Sequence, residues 1–286
     1  MSLFYKLLDC LDLEQIEGTD DTYLGKNLDI GSINVYGGHV LSQSVIAARR
    51  SVSEDKFLHS FHGYFLHPGN ISIPILYKVE IVKRGRSFDV VRILASQKEK
   101  TIFIMSASFH IAENGIDHQT PMPNVADAST LKPFSDIFMD LAEKMGVKAR
   151  GIFSAESPII FHPVEYYDPF NPGIRSPKNH VWFKINGEMK PNKEKELGIL
   201  AYVSDFNLLV TALLPHNMSF FTTPMQIASL DHAMWFHRPF KIDEWMLYVV
   251  DSTNAQGARA LCQGKIYSRN GELIASTSQE GLIRKL

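Results

Sequence analysis

Hydrophobic residues recur at helical spacing in two stretches of the first half of the chain. The N-terminal stretch MSLFYKLLDCLDLEQIE places leucines at positions 3, 7, 8 and 11, which predicts an amphipathic helix. Gly37-Gly38 precedes a second stretch, HVLSQSVIAARRSV, whose recurring positions are Val40, Ser44, Ala47 and Ala48. Because these side chains are small, we expect the second helix to lie close against a sheet.

Strand-like runs follow this second helix. They are rich in Val, Ile, Phe and Tyr and often alternate with polar residues, as strands with one buried face do. The runs are FHGYFL, ILYKVEIV, FDVVRILAS and TIFIMSASFHI. Gly85 and the polar segment QKEK at 97–100 indicate turns between them.

The second half of the chain shows the same order of elements. Ser204-Asp205 precedes the apolar stretch FNLLVTALL, which predicts another helix. The strand-like runs AMWF, WMLYVVDS, ARALCQGKIYS and LIASTSQEGLI come after it. Asn270-Gly271, between the last two runs, is a strong signal for a tight hairpin. The proline-rich segment 164–179 is expected to be an ordered loop.

The two halves align with each other at an offset of 171 residues, which brings Tyr64-Phe65 onto Trp235-Phe236. Few residues are identical at this offset, so the evidence is the placement of matching residue types. A repeat of this length indicates a duplicated unit. We therefore predict an α+β fold with two repeats, each an antiparallel sheet wrapped around a central helix.

Composition narrows the class of protein. The chain has 29 Lys and Arg against 31 Asp and Glu, so it lacks the strongly basic face that nucleic-acid binding needs. Its two cysteines exclude a disulfide framework and favour a reducing compartment. We see no signal peptide and no apolar run of the ~18 residues that span a membrane. We expect a cytoplasmic protein without membrane insertion.

Eight segments spread over nearly the whole chain resemble the bacterial acyl-CoA thioesterase II family, which has peroxisomal relatives. They are YGGHVLSQS, HSFHGYFLHPG, MSASF, HQTPMP, YVSDFNLL, IASLDHAMWFHRPF, WMLYVVDS and STSQEGLIR. The resemblance implies a double hotdog fold and hydrolysis of fatty acyl-CoA thioesters without a cofactor. It also implies a homodimer or homotetramer.

With this fold, the repeat predicts three segments. Residues 1–112 are expected to form an N-terminal hotdog with a leading helix. Residues 113–157 are expected to form a connector that contains the amphipathic stretch FSDIFMDLAEKM. Residues 158–286 are expected to form a C-terminal hotdog that carries the catalytic residues.

The resemblance implies an active site of three residues that together orient a water molecule. They are Asp205 in SDFN, Ser229 in IASLDH, where some relatives have threonine, and Gln279 in STSQEG. The expected substrate-binding residues are Gly37, Gly38, His39 and His232. His39 departs from the glutamine that is common in the family at this position, which could alter the pocket near the first central helix.

These residue types suit direct attack of water on a thioester. Asp205 can act as general base if burial raises its pKa from about 3.9. Ser229 and Gln279 do not ionise usefully near neutral pH, but they can hold and direct the water. The oxyanion needs backbone N–H donors at a helix N-terminus. Either the helix at Gly37-Gly38 or the first turn after Asp205 could supply them.

Each residue also has an ordinary interpretation when it is taken alone. Asp205 directly before an apolar helix is typical of an N-cap. Ser229 would be a loop serine, and Gln279 an exposed strand residue. At the offset of 171 the three residues meet Asn34, Leu58 and Ser108, respectively. The sequence therefore predicts one catalytic set per chain, in the second half.

The segment SLDHAMWFHRPF, residues 229–240, raises the possibility of a metal site. His232 and His237, like His59 and His62, would point to opposite faces of a strand and converge poorly. The chain has no HExxH motif and no Cys/His cluster with zinc spacing. We therefore expect no metal and interpret the segment mainly as packing, with the hydroxyl of Ser229 at its edge and a supporting part for His232.

Other functions stay open at this level. The same scaffold could serve a non-catalytic acyl-CoA-binding protein. A hydroxyacyl-CoA dehydratase would need a histidine with a carboxylate, and His39 or His232 would have to supply the imidazole. A serine hydrolase with an acyl-enzyme is unsupported because the chain has no GxSxG motif. The candidates for binding the CoA phosphates are Arg49, Arg50, Lys83, Arg84 and Arg86.

Overall fold

A computed structural model describes residues 2–145 and 154–286. Within them the α-helices are α1 (Leu3–Cys10), α2 (Gly37–Arg50), α3 (Phe134–Met145), α4 (Lys193–Ser204) and α5 (Leu208–Leu213). The first-half strands are β1 (Glu14–Gln15), β2 (Thr22–Gly25), β3 (Lys56–Phe65), β4 (Ile75–Arg84), β5 (Phe88–Gln97) and β6 (Lys100–Ile111). The second-half strands are β7 (Ile159–Pro163), β8 (Lys178–Ile185), β9 (Met225–Ser229), β10 (Asp231–Phe236), β11 (Met246–Gln256), β12 (Arg259–Ser268) and β13 (Leu273–Lys285).

The strands form one antiparallel sheet that runs through both halves. Its order is β1-β2-β4-β5-β6-β3-β10-β13-β12-β11-β8-β7, with β9 paired to β13. The halves meet where β3 pairs with β10, and there His62 lies opposite Ala233, its counterpart 171 residues later. A self-equivalent pair of this kind marks a pseudo-two-fold axis between the repeats. The predicted α+β double hotdog arrangement is confirmed.

The offset of 171 also describes the next strands. Val79 pairs with Ile93 between β4 and β5, and their counterparts Val250 and Gly264 pair between β11 and β12. Each half of the sheet curls around its own central helix, so that the apolar side chains of one sheet face and the helix form a common core.

The predicted helix at 206–214 is present as α5, which packs on β11 and β12. Sequence analysis missed α4, which precedes α5 and packs along α2, so the central helical segment of the second half consists of α4 and α5. The sequence KEKELGILAYVS is charged only at its start, and every residue from Gly198 to Ser204 is buried. A helix that is buried on all sides carries no amphipathic pattern to detect.

The two central helices pack against each other in opposite directions. A Cβ atom at Gly198 would lie 2.9 Å from Cδ1 of Ile46, so glycine permits the close approach of α4 to α2. The start of α4 meets the end of α2, where Arg50 forms an ion pair with Glu194 at 2.9 Å. The end of α4 therefore meets the start of α2.

One segment, Lys193–His216, is long and apolar enough to cross a membrane by length and composition, and 78% of its apolar window is buried inside the protein. Sequence analysis found no such stretch because α4, α5 and the turn after α5 were not joined into one segment. Burial of this kind is typical of a core helix.

The connector contains a short 3-10 turn at Ala128–Thr130 and then α3. Residues 146–153 of the connector lie outside the described residues. β6 ends at Ile111 and β7 begins at Ile159, whereas the exact segment boundaries at 112 and 157 stay predictions. The predicted loop 164–179 has no strand until β8 begins at Lys178.

The offset of 171 fails at two places that matter for the predicted site. Gln279 pairs with Cys262, and Val91, the counterpart of Cys262, pairs with Ala107. The counterpart of Gln279 is therefore Ala107 and not Ser108, because the turn at 269–272 is longer than the turn at 98–99.

The second failure lies between helix and strand. α2 ends shortly before β3, whereas α4 is separated from β9 by α5 and a loop. The ungapped match of Asp205 to Asn34 therefore does not describe equivalent positions.

Candidate active site

Asp205, Ser229 and Gln279 come together at the junction of the two halves. Ser229 Oγ donates to Asp205 Oδ1 at 3.4 Å and accepts from Gln279 Nε2 at 2.9 Å. Asp205 follows α4, Ser229 ends β9, and Gln279 lies in the middle of β13. Three separate elements thus bring a carboxylate, a hydroxyl and a carboxamide within hydrogen-bonding reach.

Asp205 is the C-cap of α4, so its predicted place as the N-cap of the next helix was wrong. The N-cap of α5 is Asn207, which adopts a left-handed conformation with φ of 65°. The side chain of Asp205 instead crosses to the other half, where Oδ2 accepts from the backbone N–H of Gly38 at 2.9 Å. The carboxylate therefore caps the N-terminus of α2.

This contact between the halves supplies a cap that the N-terminus of α2 otherwise lacks. The residue before α2, Tyr36, provides no side-chain cap, whereas Asn192 caps α4 by accepting from the N–H of Lys195 at 3.0 Å. The first N–H groups of a helix need partners and favour a negative charge nearby. Asp205 meets both requirements for α2.

The two glycines at the start of α2 allow this approach. A Cβ atom at Gly37 would lie 2.7 Å from Asp205 Oδ2, and one at Gly38 would lie 2.3 Å from the carbonyl oxygen of Tyr202. The second distance involves rigid backbone, so any larger residue at Gly38 would push α2 away from α4.

Burial raises the pKa of Asp205 to about 7, although hydrogen bonds from Gln279, Gly38 and Ser229 act in the opposite direction. Three tyrosines face the carboxylate, namely Tyr36 before α2, Tyr202 of α4 and Tyr248 of β11. Burial raises the pKa of each of these tyrosines, so they stay neutral near pH 7. Desolvation is therefore the dominant effect on Asp205.

Gln279 is 1% exposed, and both ends of its carboxamide are engaged. Nε2 donates to Ser229, and Oε1 lies 2.5 Å from Nδ1 of His232. His232 Nε2 in turn lies 3.0 Å from the hydroxyl of Ser204, at the end of α4. A row of hydrogen bonds therefore extends from the three residues into the core.

A cavity of about 720 Å³ opens beside the three residues. Its wall includes Tyr36 and Gly37 as well as Asp205, Ser229 and Gln279. Most of the remaining wall is apolar, and its phenylalanines are Phe134, Phe161, Phe206, Phe220 and Phe221. An apolar cavity with a few convergent polar groups at one place is typical of a small-molecule site.

The expected substrate-binding residues have different positions. Gly37 lies on the cavity wall, and Gly38 contacts Asp205. His39 and His232 are fully buried away from the wall. His39 Nε2 lies 3.0 Å from the carbonyl oxygen of Lys26, and burial lowers the pKa of His39 to about 4. Direct substrate contact does not fit either histidine.

The cations that sequence analysis proposed for CoA phosphates lie away from the cavity wall. Arg49 donates to the carbonyl oxygen of Val52 at 2.9 Å, and Arg50 is paired with Glu194. The cavity wall instead contains Arg175 and Lys178.

Sequence analysis also missed the aromatic wall of the cavity. It is assembled from the connector helix α3, β7, the turn between α4 and α5, and the loop before β9, most of which are far apart along the chain. Phe161 and Phe206 stack with ring centroids 3.7 Å apart. Only the apolar face of FSDIFMDLAEKM gave a signal, because the other aromatic residues follow no periodic pattern.

Within residues 2–145 and 154–286, no group of three or more His, Cys, Asp or Glu side chains could hold a metal ion. Both cysteines of the chain are buried and free.

Comparison with known proteins matches both halves. A family profile described as acyl-CoA thioesterase matches residues 148–282, and one described as acyl-CoA thioesterase N-terminal domain matches residues 27–110. Acyl-CoA thioesterase 2 of Haemophilus influenzae is 40% identical over 279 residues, which cover 97% of this chain and 96% of that protein.

Solved structures agree with this assignment. The crystal structure of acyl-CoA thioesterase II TesB2 from Mycobacterium marinum has a TM-score of 0.78 and 35% identity, and 98% of each chain is covered. A protein of unknown function with a hot dog fold from Alicyclobacillus acidocaldarius has a TM-score of 0.79 at 15% identity, with 98% of each chain covered, and shows the fold alone. The chain belongs to the acyl-CoA thioesterase II family.

Proposed function

We propose that this protein hydrolyses acyl-CoA thioesters to free fatty acid and CoA, by direct attack of a water molecule held by Asp205, Ser229 and Gln279. The observation that carries the proposal is the meeting of these three side chains on the wall of a largely apolar cavity. The apolar part of the wall suits a fatty acyl chain, and the polar residues suit the reacting carbonyl.

Asp205 is the general base in this mechanism. It removes a proton from the water as the water oxygen bonds to the thioester carbonyl carbon. Collapse of the tetrahedral intermediate breaks the C–S bond, and the CoA sulfur takes up the proton that Asp205 removed from the water, which restores the carboxylate. The bond from Ser229 to Asp205 is long, at 3.4 Å, so Oδ1 keeps the capacity to accept from a water.

Ser229 and Gln279 position that water. A hydroxyl both donates and accepts, and the carboxamide N–H₂ only donates, so together they leave few orientations for the water. Of the two oxyanion sites suggested by the sequence, the N–H of Gly38 is already engaged by Asp205. This favours donors other than the Gly38 N–H for the oxyanion.

The two alternative functions have weaker support. A dehydratase would need a histidine paired with a carboxylate, and His232, one candidate for this role, has Gln279 and Ser204 at its two ring nitrogens. On the cavity wall His180 Nδ1 does lie 2.6 Å from Glu165 Oε1, so the assay below also tests this reaction. A non-catalytic binding protein would have no need of a half-buried carboxylate with a pKa near 7, since burial of a charge costs stability without a functional return.

Release of CoA from a panel of acyl-CoAs of different chain lengths, followed with a thiol reagent, tests the function directly. We expect turnover of saturated acyl-CoAs and none of a non-hydrolysable thioether analogue, which should compete. Tight binding of acyl-CoA without release of thiol would support the binding protein instead. Loss of water from a hydroxyacyl-CoA with the thioester intact would support the dehydratase.

We expect the reaction to proceed without an acyl-enzyme. Direct attack gives no burst of CoA before the steady state, and added hydroxylamine does not divert the acyl group through a covalent intermediate. Rapid-quench kinetics and intact mass spectrometry check this. A burst close to the enzyme concentration, with an acyl adduct on Ser229 that forms and decays at the turnover rate, would contradict direct attack and leave the thioesterase assignment intact.

The pH dependence should report Asp205. Because the carboxylate must be ionised to accept a proton, kcat/KM is expected to rise with pH through an apparent pKa near 7, far above the usual pKa of an aspartate. The pKa of the neighbouring Asp231 is also raised by burial, so Asp231→Asn is the control and should leave this limb unchanged. An acid limb near pH 4 would contradict the prediction.

We also propose a cytoplasmic homodimer or homotetramer in which residues 1–112 and 158–286 form the two hotdogs. The composition supports the compartment, and the resemblance to the family supports the assembly. Light scattering coupled to size-exclusion chromatography would separate monomer, dimer and tetramer.

A further inference from the structure

His232 is fully buried directly behind the three candidate catalytic residues. It lies in β10 and is 0% exposed, with its ring stacked on Phe61 at a centroid distance of 5.9 Å. It is absent from the cavity wall, yet Nδ1 reaches Gln279 Oε1 at 2.5 Å. If His232 only filled space in the core, a hydrogen bond from its ring to Gln279 would not be required.

The acceptors and donors in this row define its direction. Both oxygens of an ionised Asp205 can only accept, so the N–H₂ end of Gln279 must face Asp205 and Ser229. Oε1 of Gln279 then faces His232 and requires a donor, so Nδ1 of His232 must carry the proton. Burial lowers the pKa of His232 to about 4, so the ring is neutral and Nε2 is an acceptor. The hydroxyl of Ser204 lies 3.0 Å from Nε2 and 2.8 Å from the carbonyl oxygen of Ala201, and in this arrangement its one proton points to Nε2.

We infer that His232 is a positioning residue, whose Nδ1–H holds the carboxamide of Gln279 with its N–H₂ group turned toward Ser229 and Asp205. The inference rests on the proposed role of Gln279. Without a donor behind it, the carboxamide can turn over and present Oε1 to the carboxylate. The water would then lose one of the two groups that direct it.

The tautomer of His232 can be measured in the wild-type protein. Nitrogen-15 NMR of histidine-labelled enzyme at pH 8 should show His232 as the Nδ1–H tautomer, with its signals assigned by their loss in His232→Asn. The opposite tautomer, with the proton on Nε2, would overturn the inference, because Nδ1 could then only accept. The tautomer itself is read in the wild-type protein, and only the assignment of the signals uses a variant.

Two amide substitutions of His232 distinguish a role in positioning Gln279 from a general structural role. Asparagine places its N–H₂ near the position of Nδ1, whereas glutamine places it near the position of Nε2. We expect His232→Gln to lower kcat by on the order of 10- to 100-fold, the scale of a misplaced catalytic group, with KM little changed. His232→Asn should recover most of that loss. Equal losses in the two variants, with comparable melting temperatures, would overturn the inference.

A double-mutant cycle shows whether His232 acts through Gln279. If it does, adding His232→Gln to Gln279→Ala should lower kcat little further, whereas independent effects would multiply. The acid limb of kcat/KM should also move to higher pH in His232→Gln, because the hydrogen bond from Gln279 lowers the pKa of Asp205. Tyr36, Tyr202 and Tyr248, which also face this carboxylate, remain neutral there.

The outcomes distinguish this inference from the proposed function. Multiplying losses in the cycle, with kcat of Gln279→Ala itself lowered by roughly 100-fold, would overturn the role of His232 and leave the proposed function intact. Full activity of Gln279→Ala would instead remove the basis of both.

Discussion

Replacement of Asp205 by asparagine is expected to lower kcat by at least ~100-fold, the scale typical for loss of a general base. Asparagine keeps the shape of the side chain and can still accept from the N–H of Gly38, so the contact between α4 and α2 is preserved. It cannot take a proton from water near neutral pH. Steady-state release of CoA at saturating acyl-CoA measures the effect.

Asp205→Asn should keep or raise the stability of the folded protein although it lowers activity. The folded-state pKa of Asp205 is raised, so its favourable contribution is fully present below the unfolded-state pKa and is lost as pH rises through about 7. Asp205→Asn is uncharged at every pH, so its melting temperature at pH 8 should match or exceed that of the wild type. Near wild-type turnover in this folded variant would show that Asp205 is not the base.

The matched control for Asp205 is Asp231→Asn. Asp231 lies in β10 and is also close to Gln279. Its Oδ1 accepts from the N–H of Glu280, the residue after Gln279 in β13, at 2.6 Å. Its pKa is raised by burial as well. Because Asp231 is absent from the cavity wall, the control should retain most of the wild-type kcat.

Removal of the side chain of Gln279 is expected to lower kcat by roughly 100-fold, the scale for loss of one preorganised donor. Gln279→Ala deletes the N–H₂ group that donates to Ser229 and leaves Asp205 without one of its hydrogen bonds. Ser229→Ala should lower kcat by on the order of tenfold or more, because the water loses a partner that both donates and accepts. Both changes should affect kcat more than KM.

The first half of the chain offers matched controls. Gln97 is a buried glutamine whose Nε2 donates to the carbonyl oxygen of Asn70 at 2.7 Å. Ser108 is 2.8 Å from Nε2 of His59. Gln97→Ala should lower the melting temperature and leave kcat near the wild-type value, and Ser108→Ala should leave kcat unchanged. Equal losses of kcat in the two halves would contradict a single catalytic set.

The structure gives a physical reason for this asymmetry. At the pseudo-symmetric place in the first half, Leu58 stands for Ser229 and Ala107 for Gln279, and neither side chain can hold a water. The start of α4 is the counterpart of the N-terminus of α2 that Asp205 caps. It is capped by its own Asn192 and lies against the ion pair of Arg50 and Glu194. The duplication therefore supplies two scaffolds but one set of polar groups that suits the chemistry.

The sequence by itself determined the duplicated plan of this protein. Alternation along strands and small residues along α2 depend on neighbours in the chain, so they are visible without coordinates. The offset of 171 predicted correctly that Leu58 is the counterpart of Ser229. The motifs around Asp205, Ser229 and Gln279 added the candidate site through resemblance, and their roles as catalytic residues stay predictions.

Only the tertiary structure decided how those residues are arranged. The helix α4 escaped detection because it is buried on all sides, and its contacts with α2 join residues from different halves. For the same reason Asp205 looked like a local N-cap, although it caps a helix that begins 168 positions before it in the chain, at Gly37. The pKa of Asp205, the aromatic cavity wall and the bond from His232 to Gln279 all depend on such contacts, which no local pattern records.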